Sequence, residues 1–324
     1  MIEKALAELT LNITDGKHGD CRGKDDSGYY FISCKDIREG QIHYEDARQI
    51  IEEDFWDAHK RTRLEPDDIL VTNSGTIGRM AFVRDVPLTY RTTFQKSVAI
   101  VKPDKAKIFP KYLYYQLQNC VDDFINRSNG AAQKNLLLST MRAFKMNIHE
   151  DEDLQMHIAA ILSAYDDLIE NNQKQIKRLE EAAQRLYKEW FVDLRFPGHE
   201  TTPIVDGIPE GWSMCTAGNV IEFNPKTPLK KGCIKQSVPM TALSTSSMVL
   251  NSSEFTMTES NSGAKFRNGD TLLARITPCL ENGKTAFVAG ITSEEGTVGS
   301  TEFIVMRAKK INPYMVYLLA RTEE

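Results

Sequence analysis

Apolar positions along this chain fall into two patterns, and each predicts a different kind of element. In residues 1–150, and again over 197–324, they form short runs such as Ile69–Thr72, Met80–Val83 and Ser97–Val101. These runs are rich in β-branched or apolar residues and bounded by Gly, Pro, Asp or Asn, as strands are. Each set leads into a segment that opens on proline, at Pro110 and at Pro313, where proline suits a first helical turn. From Pro110 to about Ile125, the residues Leu113, Leu117, Val121 and Phe124 keep helical spacing.

Residues 151–196 differ in kind. Asp151, Glu152 and Asp153 make an acidic start that suits a helix N-terminus. Leu154, Ile158, Ile161, Tyr165 and Leu168 then alternate steps of four and three. The seam meets Asn172, slips by one residue, and resumes through Ile176, Leu179, Ala183, Leu186 and Trp190. This is a heptad pattern with one polar interruption and one stutter. A helix of about forty residues is roughly 60 Å long. An apolar stripe of that length predicts a coiled-coil partner, with Ile158, Ile161, Leu168, Asn172, Ile176, Leu179, Leu186 and Trp190 in the interface. The alternative is a helix lying across its own domains.

The strand-rich regions repeat each other. Asp68-Ile69-Leu70-Val71, a glycine turn, and Met80-Ala81-Phe82-Val83 return as Asp270-Thr271-Leu272-Leu273, a turn around Asn282-Gly283-Lys284, and Thr285-Ala286-Phe287-Val288. Upstream, Phe31-Ile32-Ser33 matches Pro239-Met240-Thr241; downstream, Pro110-Lys111-Tyr112-Leu113-Tyr114 matches Pro313-Tyr314-Met315-Val316-Tyr317. The expected fold is therefore α+β, with two mixed, β-rich domains (1–150 and 197–324) joined by a long coiled-coil-forming helix (151–196). Two copies with a spacer suit a bipartite, extended ligand better than a small substrate.

Composition narrows this only slightly. With 324 residues and 41% apolar content, each domain can bury a core. No run approaches the ~20 apolar residues of a membrane span, and the charged N-terminus lacks the apolar core of a signal peptide. The six cysteines form no CxxC pair and read as thiols of a reducing cytoplasm. The six histidines show no zinc spacing. The net charge of −5 lies mostly in the helix: residues 151–198 carry 6 basic and 10 acidic side chains, against 22 and 22 before them and 12 and 13 after. No Walker motif, Gly-rich nucleotide loop or metal cluster is present. Asn312-Pro313-Tyr314 resembles part of an adenine methyltransferase motif but lacks its second proline and starts a repeated helix, so no catalytic residue is expected.

Several motifs, in order, resemble the specificity subunits of type I restriction–modification enzymes. Ile158-Ala159-Ala160-Ile161-Leu162-Ser163-Ala164-Tyr165-Asp166-Asp167-Leu168-Ile169-Glu170-Asn171-Asn172 is similar to the family's spacer helix. So is its exit, Leu186-Tyr187-Lys188-Glu189-Trp190-Phe191-Val192-Asp193-Leu194-Arg195-Phe196-Pro197-Gly198. Ile208-Pro209-Glu210-Gly211-Trp212 resembles the usual lead into a second recognition domain. Asp68-Ile69-Leu70-Val71-Thr72-Asn73-Ser74-Gly75-Thr76-Ile77-Gly78-Arg79 resembles the recurrent strand–turn–strand signature. Two departures stand out: the lead into the helix, Asn147–Glu152, lacks the family's prolines, and the sequence stops at Glu324, inside the second Pro-initiated helix. A C-terminally truncated subunit is therefore expected, its seam satisfied by a second copy or another subunit.

The resemblance implies a non-catalytic, cytoplasmic, double-stranded-DNA-binding subunit, each target recognition domain reading half of a split site and the helix setting their spacing. It implies methyltransferase subunits and, through them, a nuclease–translocase subunit as partners. S-adenosylmethionine, ATP and Mg²⁺ would sit on those partners, with no cofactor on this chain and no membrane. Candidate DNA-contacting residues are Lys17, Arg22 and Lys24; Thr72, Ser74, Thr76 and Arg79; Arg91, Thr93, Gln95 and Lys96; Gln133 and Lys134; and, in the second copy, Arg275 and Lys284. Their hydroxyls, amides and cations can hold phosphates or read base edges. The rival readings are the recognition region of a fused methyltransferase or nuclease, and a truncated coiled-coil adaptor without independent DNA binding.

Overall fold

A computed structural model describes residues 1–130, 134–245 and 247–321. The chain divides into two compact units, Met1–Leu168 and Ile169–Glu324. In chain order, the first unit contains β1 (Ile2–Ala5), β2 (Thr10–Asp15), β3 (Tyr30–Ile32), β4 (Ile37–Arg38), β5 (Gln41–Ile42), α1 (Glu52–Thr62), β6 (Ile69–Thr72), β7 (Met80–Phe82), β8 (Thr92–Phe94), β9 (Val98–Pro103), α2 (Pro110–Gln118), α3 (Val121–Asn126), α4 (Leu138–Arg142) and β10 (Lys145–Ile148). Its centre is an antiparallel sheet in the order β2-β9-β6-β7, beside a parallel pair, β3 and β8. All four residues of β6 are buried, so the short apolar run forms a strand covered on both faces. One face packs Ile69, Val71 and Val101 with Tyr112 and Leu113 of α2; the other packs Leu70, Ile100 and Ala81 with Ile32 and Phe94.

The sequence predicts one helix from Pro110 to Ile125, whereas the chain turns between α2 and α3. Cys120 N–H bonds Leu117 O at 3.0 Å, a tightened last turn that redirects the chain and carries Phe124 into the core.

Helix α5 (Glu152–Tyr187) is 36 residues long, about 54 Å at 1.5 Å per residue. Asp151 Oδ1 accepts hydrogen bonds from the N–H groups of Asp153 and Leu154, satisfying otherwise unpaired first-turn donors. Gln155, buried, accepts from Phe109 N–H at 2.8 Å and donates to His149 O at 2.6 Å. A π-turn over Lys188–Val192 follows the helix.

The second unit continues with β11 (Ile204–Val205), β12 (Ile208–Pro209), α6 (Ala217–Val220), β13 (Ile221–Phe223), β14 (Lys235–Val238), β15 (Thr256–Thr258), β16 (Ala264–Phe266), β17 (Thr271–Ala274), β18 (Thr285–Phe287), β19 (Thr297–Gly299), β20 (Phe303–Ala308) and α7 (Pro313–Ala320). Its antiparallel sheet β13-β20-β17-β18 repeats β2-β9-β6-β7, and the parallel pair β14 and β19 repeats β3 and β8. The registers agree: Leu70 faces Ala81 and Ile100, and Leu272 faces Ala286 and Val305. One detail of the sequence match shifts by two residues. The turns that follow β3 and β14 begin at Cys34 and Met240, so Ile32 corresponds to Val238 instead of Met240.

Candidate nucleic-acid interface

Strand register decides which loops meet. Asp15 lies opposite Ala99, Thr72 opposite Val98, and Val71 opposite Met80. The ends of β2 and β6 and the starts of β7 and β9 therefore share one edge of the sheet. Lys17 N–H donates to Phe94 O at 2.7 Å and Lys96 N–H to Lys17 O at 3.2 Å. Asn73 N–H donates to Ser97 O at 3.0 Å, Leu136 N–H to Asn73 O at 2.8 Å, and Gly75 N–H to Lys134 O at 3.2 Å. Four loops that are far apart in sequence thus satisfy one another's backbone groups, freeing their side chains for other contacts.

The candidate side chains fall into three groups. Thr76, Arg79, Lys96 and Lys134 are exposed, and among the described residues these three cations have no carboxylate partner. Lys24 is exposed; Ser74 and Gln95 are half-buried. Arg91 is exposed, 6.0 Å from the Tyr29 ring centre. A second group is already engaged: Arg22 grips Asp54 with a 2.8 Å contact, and Lys17 bonds Asp57 at 3.0 Å. The Arg22 bonds hold the Asp54 carboxyl at about 2, and Asp57 raises the Lys17 ammonium above its ordinary value.

The third group is turned inward. Thr72 and Thr93 are 0% exposed: Thr72 Oγ1 accepts from Arg79 N–H at 2.9 Å and Thr93 lies 3.4 Å from Thr62 Oγ1. Against expectation, both hydroxyls are enclosed: Thr72 sits on the inner strand β6, under the loop that carries Arg79, and Thr93 sits on β8 against the end of α1. Gln133 lies outside the described residues.

Other residues at this edge were not among the candidates read from the sequence. Asp15, buried, binds Arg61 and accepts His18 Nε2 at 2.9 Å. Cys34 N–H reaches Ser97 Oγ at 3.2 Å, which brings the exposed Lys35 beside the cluster. Asn73 is buried, with an amide oxygen that has no partner among the described residues. Only the pairing of distant strands brings these groups together.

In the second unit, Arg275 follows β17 and pairs with Glu302 at 2.8 Å, while Lys284 Nζ reaches Met240 O at 3.3 Å. The helix residues are open: Ile161 is 61% exposed and Leu179 69%, and Leu168, Asn172, Ile176 and Leu186 are exposed too. Ile158 packs partly against the first unit's core, and Trp190 is half-buried beside Phe191. Among the described residues no group of His, Cys, Asp and Glu is placed to hold a metal, and no helix is long and apolar enough to cross a membrane.

A family model described as "Type I restriction modification DNA specificity domain" matches residues 20–181. The type I restriction enzyme MjaIX specificity subunit of Methanocaldococcus jannaschii is 31% identical over 160 residues, 48% of this chain and 35% of that protein. The EcoAI specificity subunit of Escherichia coli is 36% identical over 105 residues, 31% of this chain and 17% of that protein. The matched regions thus span about a third or less of these relatives. The solved S subunit from M. genitalium is 13% identical and aligns over 98% of this chain and 76% of that one, with a TM-score of 0.48.

Proposed function

Because this chain belongs to the type I restriction modification DNA specificity family, we propose that it is a non-catalytic specificity subunit that binds double-stranded DNA. In this reading, residues 1–150 and 197–324 are two target recognition domains, each reading half of a bipartite site, and residues 151–196 are the spacer helix. The observation that carries it is the sheet edge where four loops interlock and leave Arg79, Lys96 and Lys134 exposed without carboxylate partners. Such cations position a protein on phosphates, and neighbouring polar groups such as Thr76 and Gln95 read base edges.

The exposed stripe of α5 supports a second part of the reading: assembly through the helix with methyltransferase subunits, or with a second copy. The nuclease–translocase would join through the methyltransferase, and S-adenosylmethionine, ATP and Mg²⁺ would belong to those partners. The test is a gel shift of duplex DNA by the chain together with the methyltransferase subunit of its own genome, at several salt concentrations. Binding that weakens steeply with salt is expected. Absent or salt-insensitive binding overturns the reading in favour of a coiled-coil adaptor.

A further inference from the structure

The two units repeat each other's sheets but diverge at the loop-bearing edge. In the first unit, pairing of β2 with β9 runs on to Asp15, and Gly16 N–H still reaches Val98 O at 3.2 Å. In the second, pairing of β13 with β20 stops early. Asn224 N–H bonds Val305 O at 2.7 Å, but Asn224 adopts a left-handed conformation with φ of 48° and Pro225 follows it. Proline has no N–H to continue a ladder, and Pro228 repeats the interruption three residues later. The chain peels away and opens a cleft of about 860 Å³ between Asn224–Pro228, the start of β16 and the start of β20.

The lining is one-sided in charge. Lys226, Lys265 and Arg275 line it together with Asn224, Thr227 and Thr301, over a floor that includes Phe303, and no carboxylate lines it. Arg275 is occupied by Glu302. Lys226 is exposed and Lys265 half-buried, and among the described residues neither has an ion-pair partner. The cleft on the other side of the Lys226–Pro228 segment is different, since Glu294 and Glu295 line it and Glu295 pairs with Lys230. Lys226, Lys230, Arg267 and Arg307 line that second cleft too, so the first differs from it in having cations and hydroxyls but no carboxylate in its lining.

We infer that this cleft is where the second unit grips DNA, with Lys226 and Lys265 holding backbone phosphates while Thr301 faces the groove; Asn224 Oδ1 is held by Val305 N–H at 3.0 Å and anchors the cleft's edge. The inference rests on the DNA-binding reading above. It also implies that the repeats engage DNA differently: the first through interlocked loops, the second through a cleft made by a broken strand.

The test uses the full chain with its methyltransferase subunit and a fluorescein-labelled DNA duplex, read by anisotropy across a salt series. Lys226→Ala/Lys265→Ala should make the slope of log affinity against log salt shallower by roughly 2, one phosphate contact per lysine. Lys226→Ala alone, at an exposed position that folding does not depend on, should lower it by roughly 1. Lys310→Ala, beyond the far end of β20, should leave it unchanged. Salt-dependent binding by the parent with an unchanged slope in both Lys226 variants overturns the cleft and leaves the general reading standing. Absence of salt-dependent binding by the parent overturns both.

Discussion

Arg307 holds Asp270 by two hydrogen bonds of 2.7 Å, in the place where Lys102 reaches Asp68 at 2.7 Å in the first unit. Each aspartate is buried at the start of the central strand, and each closes the same turn. Asp68 accepts from Glu65 N–H and Asp270 from Arg267 N–H, both at 2.9 Å. Their carbonyls accept from Val83 and Val288 N–H, at 2.9 and 2.8 Å. Removing one partner of such a pair strands a charge. Asp270→Ala should therefore destabilise the second unit by about 3–5 kcal/mol in urea unfolding, and Arg307→Met, which strands the more deeply buried carboxylate, by a similar amount. A loss below about 1 kcal/mol for Asp270→Ala would show that the pair is dispensable.

Asp68 also makes stability depend on pH. Burial pushes its carboxyl up to about 6 against the pull of Lys102, whereas an unfolded aspartate titrates near ~3.9. The folded state then binds the extra proton between those values, so this group's contribution is fully present below about 4 and lost as pH rises through about 6. Asp68→Asn should remove that fall, worth up to about 3 kcal/mol, from unfolding free energies measured between pH 4 and 7. Parallel curves for the two proteins would refute it.

Arg79 and Arg22 should behave differently despite their identical chemistry. Arg79 has no carboxylate partner among the described residues, and its substitution by alanine should weaken DNA binding and reduce the salt slope by roughly 1. Arg22 is neutralised by Asp54, so Arg22→Ala should change the slope little. Equal slopes for the two variants in a salt titration would count against the proposed edge.

The seam can be tested without endangering the fold. Ile161, Leu168 and Leu179 are each more than half exposed, so replacing all three by polar residues removes little buried surface. The triple variant should keep the parent's circular dichroism spectrum yet elute alone when mixed with the methyltransferase subunit. Normal co-elution would exclude the helix as the docking element.

Gly78 shows how tightly one loop is fixed. It adopts φ of 85°, and a Cβ there would stand 2.6 Å from Val121 Cγ1. Gly78→Ala should cost about 1–3 kcal/mol through combined backbone strain and collision; a thermal midpoint equal to the parent's would show that α3 simply moves aside.

Much of the fold was legible in the sequence because its signals are local. The heptad of α5, Pro110 and Pro313 at helix starts, and the run Ile69–Thr72 each announce themselves within a few residues. What stayed hidden depends on partners distant in sequence. Nothing near Asp68 names Lys102, and nothing near Thr72 or Thr93 marks a hydroxyl that distant elements enclose. Nor could four loops be read as one edge before the β2, β6 and β9 registers were known. Of the second unit's cleft, only Arg275 was among the candidates read from the sequence; the break at Pro225 and Pro228 shows itself only beside the pairing of β13 with β20.

The four-residue strand β6 has a consequence for how such a protein changes. Its entrance, at Asp68, is locked by charge and backbone in the same way in both repeats, while its exit, after Thr72, opens into loops that differ between them. Innovation at the exit is insulated from the entrance, so whole loop sets should be exchangeable like bits in a common chuck.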